Sequence, residues 1–229
     1  MKSFAYVNAS NEREAVAALK TDGIALPMAG GQDLIARMPQ QAGLLAAKGF
    51  AEQGKSDAAR AALGWVADKS SDEGYQAIAR LRKAVLAEAE TDILAHSLGG
   101  LIAVEAMTGF APFRGRILCV GSPLAGSQVV RRYRHTPLGV LAGRSTALLS
   151  RGFTRVPEGL DVSVIAGTDP KGLGRFVHRF DAENDGSVAL SETRIPGLQK
   201  HVSVPVSHSG QLFSKTVITQ VLALLNRED

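Results

Sequence analysis

The spacing of apolar positions changes three times along this chain. Over the first stretch they come in short clusters. Phe4 and Val7 precede Asn11 and Glu14, whose three-residue separation fits a capping box ahead of a helix through Ala15–Lys20. Gly23 stops that helix, Ile24–Met28 has strand character, Ala29-Gly30-Gly31 is a tight turn, and Gln32–Met38 opens another helix that Pro39 is expected to disturb. From about residue 40 the spacing turns helical. Gln41–Gln53 carries Leu44, Leu45, Ala47 and Phe50 on one side, and Ser56–Asp68 carries Ala59, Ala62, Leu63 and Val66. Glu73–Glu90, capped by Ser71 or Asp72, carries Tyr75, Ile78, Leu81, Val85 and Leu86. A hairpin of such helices cannot bury both faces by itself.

Beyond residue 90 the pattern alternates. Strand-like runs at Ile93–Ala95, Arg116–Val120, Val162–Ala166 and Val202–Val206 are separated by helical patterns at Leu98–Thr108, Leu138–Arg151 and Gln211–Asn226. The expected fold class is α/β: a mainly parallel sheet covered by helices, with a helical hairpin inserted upstream. The expected organisation is a small α/β unit over 1–38, a helical repeat-like segment over 39–90 and an α/β part over 91–229. In such sheets ligands bind at the C-terminal ends of the strands.

Composition narrows the class. With 229 residues and 45% hydrophobic side chains, the chain can bury a core. The net charge of +4 is modest, and the basic residues are scattered apart from Arg131-Arg132-Tyr133-Arg134-His135. That cluster reads as a solvated helix face, so no nucleic-acid partner is expected. A single cysteine, Cys119 in an apolar run, excludes an intramolecular disulfide and a Cys-rich metal site, and reads as a buried thiol. No metal and no cofactor are expected. There is no run long enough for a transmembrane helix and no apolar stretch for a signal peptide near Met1, so the expected location is the cytoplasm.

The segment Asp92-Ile93-Leu94-Ala95-His96-Ser97-Leu98-Gly99-Gly100 places a serine between a strand and a helix, flanked by small residues. Such a turn is tight enough to strain the serine backbone, and it requires small neighbours two before and two after, here Ala95 and Gly99. The pattern is A-x-S-x-G. A serine hydroxyl becomes a nucleophile when an oriented histidine takes its proton, and in elbow proteins the order is Ser, then acid, then His. His208 follows Val204-Pro205-Val206-Ser207 and precedes Ser209-Gly210, at a strand end before the last helix, and is the candidate base. His96 adjoins the serine but points elsewhere, His135 and His178 lie in basic surroundings, and His201 begins an apolar run. Asp185, in Glu183-Asn184-Asp185-Gly186, is the candidate acid. Asp181, Glu183 and Asp169 are alternatives, and an Asp-Gly pair is also a common plain turn. The Leu98 N–H is the expected first oxyanion donor. No His-Gly pair precedes Ser97, so Gly30 and Gly31 are the nearest candidates for the second donor.

From about Asp92 to Leu225 the chain resembles the α/β-hydrolase superfamily, in particular bacterial lipase/esterase-like members. The matching pieces are His96-Ser97-Leu98-Gly99-Gly100-Leu101, Val120-Gly121-Ser122-Pro123-Leu124-Ala125-Gly126-Ser127, Asn184-Asp185-Gly186 and Pro205-Val206-Ser207-His208-Ser209-Gly210, in family order. The resemblance implies Ser97 as nucleophile, Asp185 as acid, His208 as base, and a small-molecule or lipid ester as substrate. Ala95 departs from the family glycine, and the family's early strands and oxyanion loop are not recognisable. Leu138–Leu149 reads as a lid over an acyl pocket or as an ordinary packing helix. Residues 1–37, through Pro27-Met28-Ala29-Gly30-Gly31-Gln32-Asp33-Leu34, resemble the start of the FAD-binding subunit of molybdenum hydroxylases, where a Gly-Gly loop holds the flavin pyrophosphate. Only a small part of such a domain is covered. Residues 42–88, with Gln53-Gly54-Lys55-Ser56 and Gln76-Ala77-Ile78-Ala79-Arg80-Leu81-Arg82, resemble the tetratricopeptide-like repeats of a Sec translocon accessory protein, which implies a protein contact there. The chain therefore reads as a mosaic. Its expected function is serine ester hydrolysis; the alternative is a catalytically impaired protein that acts through 42–88 as an interaction module.

Overall fold

The computed structural model describes residues 32–133, 146–171 and 182–226. The chain divides into two compact units, Met1–Gln41 and Ala42–Asp229. Of the first, the described residues are helical. Helix α1, Gln32–Glu52, runs through Pro39 without a break, whereas the sequence suggested a disturbance there. Proline removes one backbone donor from a helix, and the remaining bonds of a 21-residue element carry it.

In the second unit, α2 (Ser56–Lys69) and α3 (Glu73–Ala87) form an antiparallel hairpin. Of the two capping candidates it is Asp72 that caps α3, accepting from the Gly74 N–H at 2.9 Å. Ala59, Leu63 and Val66 of α2 close on Leu44, Ala47 and Ala79, with Tyr75 alongside. The other side of α3 faces elsewhere: Val85 is buried in the main core, and Ile78, Leu81 and Leu86 lie against it.

That main core is an α/β layer. Strands β1 (Ile93–His96), β2 (Arg116–Val120), β3 (Asp161–Gly167) and β4 (Lys200–Val204) pair in sequence order, all parallel. Register aligns Ala95, Cys119, Val164 and His201 across one face. Helix α4 (Leu98–Met107) packs on this face. It is apolar nearly all round, with Leu101, Ala103, Val104, Ala106 and Met107 buried, and such a helix needs cover on both sides. The sheet covers one side and α3 the other. Each fully buried Leu, Val or Met side chain contributes about 1.5–3 kcal/mol, which is what joins the hairpin to the sheet layer. Buried Arg82 secures the join. Its Nε donates to the Ala106 carbonyl at 2.6 Å, in the last turn of α4, and its guanidinium lies over the Phe110 ring. Burial pulls the Arg82 pKa down, opposed by Glu105.

The opposite sheet face is covered by α7 (Lys215–Leu225), capped by the Ser214 hydroxyl; Val217 and Leu224 pack on Leu118, Val120, Ile165 and Val204. Two short helices, α5 (Gln128–Tyr133) and α6 (Thr146–Arg151), lie between β2 and β3. Arg131 and Arg132 on α5 are exposed, as a solvated basic face requires. Among the described residues β1 is an edge of the sheet, and Leu94 on it is 55% exposed.

Candidate active site

Three turns meet at the C-terminal ends of the parallel strands. The first follows β1. Ser97 has φ 55° and ψ −126°, and it is the one non-glycine among the described residues with positive φ. A backbone in that region costs of the order of 1–3 kcal/mol and needs surroundings that hold it. The Ser97 N–H donates to the Val120 carbonyl at 2.8 Å, which carries the β1–β2 ladder one residue into the turn. Helix α4 then starts immediately. A Cβ on Gly99 would lie 3.7 Å from the Ala95 Cβ, an ordinary contact, so this pair tolerates alanine at position 95. The position that demands glycine is Gly100. A Cβ there would overlap the Ser122 hydroxyl and stand 3.0 Å from the Cys119 thiol. Burial raises the thiol of Cys119 to about 12, so it is a neutral packing group.

The second turn carries Asp185, whose two oxygens are used differently. Oδ1 accepts the N–H groups of Ser187 at 3.0 Å and Val188 at 2.7 Å, while Gly186 takes φ 91°. The plain Asp-Gly turn is therefore present. Oδ2 faces the other way, toward His208 Nδ1 at 2.7 Å and Gln211 Nε2 at 2.8 Å. The carboxylate is 1% exposed and carries four donors in all, which is how a buried charge is tolerated. The buried carboxylate of Glu192 braces this loop against the segment after β2, accepting from the Ala189 and Gln128 N–H groups.

The third turn follows β4. The His208 N–H donates to the Asp185 carbonyl at 2.8 Å, so backbone and side chain both tie the two loops. Its Nε2 stands 3.0 Å from Ser97 Oγ. With Nδ1–H given to the carboxylate, Nε2 is left as the acceptor for the serine hydroxyl. Ser97, His208 and Asp185 thus form one hydrogen-bonded chain drawn from three separate strand ends.

The other candidates fall elsewhere. His96 lies nearer than the sequence suggested: its ring centroid is 4.7 Å from that of His208, and its Nε2 lies 3.1 Å from the His208 carbonyl. A carbonyl only accepts, so Nε2 carries the proton. Burial, and then the neighbouring His208, lower the His96 pKa and keep it neutral. His201 hydrogen-bonds Thr193 Oγ1 at 2.8 Å, away from the three turns. Asp169 pairs with Lys171, and Glu183 is exposed. Asp181, His135, His178, Gly30 and Gly31 lie outside the described residues, as does most of Leu138–Leu149. Leu98 is the first residue of α4, where helical N–H groups have no partner inside the helix. Gln211 is not recognisable from sequence, because an amide in the short 3-10 helix Gly210–Leu212 has no motif of its own.

Comparisons with known proteins bear on the fold. A family profile described as a tetratricopeptide repeat-like domain matches residues 7–110. No curated protein matches the chain. Among solved structures it is similar to the Bacillus licheniformis lipase BlEst2. With the propeptide form the identity is 20% and the TM-score 0.55, over 69% of this chain and 41% of that one. With the mature form they are 19% and 0.50, over 67% of this chain and 73% of that one. The chain thus spans about two fifths of the length of the propeptide form. No described helix is long and apolar enough to cross a membrane. The likeness to a lipase at this identity is one of fold: a parallel, helix-covered α/β sheet.

Proposed function

We propose that the protein is a serine hydrolase that cleaves carboxylic esters through an acyl-enzyme. The observation that carries this reading is the strained Ser97, with Oγ 3.0 Å from a histidine whose other nitrogen lies 2.7 Å from a buried carboxylate. A purely structural serine gains nothing from such a backbone.

In this mechanism Ser97 Oγ attacks the ester carbonyl carbon while its proton passes to His208 Nε2. Asp185 holds the imidazole in the Nδ1–H tautomer and stabilises the cation that forms. The oxyanion of the tetrahedral intermediate is met by the Leu98 N–H at the start of α4, where the helix dipole favours negative charge. The ester C–O bond then breaks, and His208 returns the proton to the departing alcohol. Water repeats the sequence on the acyl-serine, giving its proton to Nε2 and releasing a carboxylic acid as Ser97 regains its hydrogen. Turnover of p-nitrophenyl esters of graded acyl length tests this. Hydrolysis by the native chain, lost in Ser97→Ala, is expected; equal rates in the two would end the proposal.

A second reading has its own support. The profile match over residues 7–110 and the α2–α3 hairpin, with Trp65 44% exposed, favour a protein-contact role for the helical segment. Trp65→Ala separates the two: it would weaken a partner contact and leave ester hydrolysis unchanged.

A further inference from the structure

The buried amide of Gln211 has no part in the chemistry just described, yet the site is shaped around it. Gln211 is 2% exposed. Its Nε2 donates to Asp185 Oδ2 at 2.8 Å, the same oxygen that faces His208. Its Oε1 has no hydrogen-bond partner among the described residues. A carboxylate accepts only, so the donor end must face Asp185, and the carbonyl end is left over. An amide placed simply to satisfy itself would pair both ends. Here the orientation is dictated by the carboxylate.

Two strand-end glycines make the space. A Cβ on Gly121 would come within 2.8 Å of Gln211 Oε1 and 3.2 Å of His208 Nδ1. A Cβ on Gly167 would overlap Gln211 Nε2 and lie 2.8 Å from the Asp185 Cβ. A side chain at either position would drive the amide off the carboxylate. The backbone of Gln211 is tied to the same loop, its N–H donating to the Ser207 carbonyl at 3.0 Å.

We propose that Gln211 is a positioning residue that fixes Asp185 Oδ2 opposite the imidazole and moderates the pull of the carboxylate on the His208 proton. The inference rests on the proposed role of the Ser97–His208–Asp185 chain. A donor shared by the same oxygen withdraws charge from it. Removing the donor concentrates that charge on His208 Nδ1–H and raises the basicity of the imidazole. The charged and titratable groups facing His208 among the described residues are Asp185 from its loop and His96 from β1, and neither is altered by a change at 211.

The test is an NMR titration of His208 in the native chain and in Gln211→Met, which keeps the bulk and removes the donor; His208→Asn identifies the resonance. The midpoint in Gln211→Met is expected to rise by about 1 unit, a ~10-fold gain in proton affinity. An unmoved midpoint in a folded variant overturns the proposal. This readout needs no turnover, so it fails separately from the ester-hydrolase reading, which is judged by Ser97-dependent activity. Where the native chain hydrolyses esters, kcat of Gln211→Met falls about 10-fold with KM held, because the amide does not meet substrate. Should Gln211→Met not fold, the side-chain amide protons of Gln211 in the native chain give the answer. They are expected to shift along the His208 titration curve, and resonances indifferent to it would refute the proposal.

Discussion

Replacing Asp185 by asparagine is the sharpest local perturbation of the site, because four donors converge on that carboxylate. Asparagine offers one acceptor oxygen and one NH2 group. If the NH2 occupied the Oδ1 position it would face the backbone N–H groups of Ser187 and Val188, which cannot change character. The oxygen therefore stays with the turn and the NH2 faces His208. The imidazole then accepts at Nδ1 and carries its proton on Nε2, pointed at Ser97 Oγ. In that tautomer it cannot take the hydroxyl proton. By analogy with the same change in serine proteases, kcat/KM is expected to fall by about 10⁴, or about 5.4 kcal/mol of transition-state stabilisation. The fold loses less. Gln211 can turn its free Oε1 toward the new NH2, and the exchange of charge-assisted for neutral bonds costs about 1–3 kcal/mol. Ester hydrolysis and fluorophosphonate labelling rates, with thermal unfolding as the control on folding, provide the assay. A folded Asp185→Asn variant within tenfold of the native rate would refute the tautomer argument.

Ser97→Gly removes the φ penalty at the cost of greater chain freedom when unfolded, and is expected to stabilise by about 1 kcal/mol, raising Tm by about 2–4 °C while abolishing activity; a fall in Tm would contradict the strain argument. Gly100→Ala, whose methyl would press on Ser122 and Cys119, is expected to destabilise by about 1–3 kcal/mol in chemical denaturation, whereas Gly64→Ala, open for 4 Å around, stabilises α2 by up to about 1 kcal/mol. Burial, with Arg194 adding, pushes His201 down to about 4 from its usual 6.5. Its neutral form is the folded one, so the stability it contributes is complete above pH 6.5 and is lost as pH falls from there toward 4. His201→Gln should flatten that acid limb of the stability profile; an unchanged limb would show that other groups set it.

The sharp turn at Ser97 and the strand-end loops that carry Asp185 and His208 are legible because each answers to a local rule. Small residues must flank a serine between strand and helix, and ligand-bearing turns follow strand ends. The apolar runs at Ile93–Ala95, Arg116–Val120 and Val162–Ala166 match their strands to within a residue at each end, since buried parallel strands read as continuous apolar runs. The last run, Val202–Val206, lies two residues beyond its strand: β4 covers Lys200–Val204, because Lys200 and His201 pair with Ser163 and Val164 despite their polarity, while Pro205 has no N–H to donate to a ladder. Likewise Gln211 is not the start of the final helix; the Ser214 hydroxyl begins it three residues later. What the sequence could not show were demands set by distant neighbours. Nothing local says that Gly100 must clear Ser122, that Arg82 caps α4 from another helix, or that an amide at 211 meets a carboxylate 26 residues upstream.

In the proposed mechanism His208 makes the hydroxyl of Ser97 reactive. Intact-mass measurement and peptide mapping after treatment with a fluorophosphonate test it most directly. A single phosphonyl adduct is expected on the peptide containing Ser97, absent from folded His208→Ala. A folded native chain that remains unmodified, or carries the adduct at another residue, or is labelled equally without the imidazole, would contradict it.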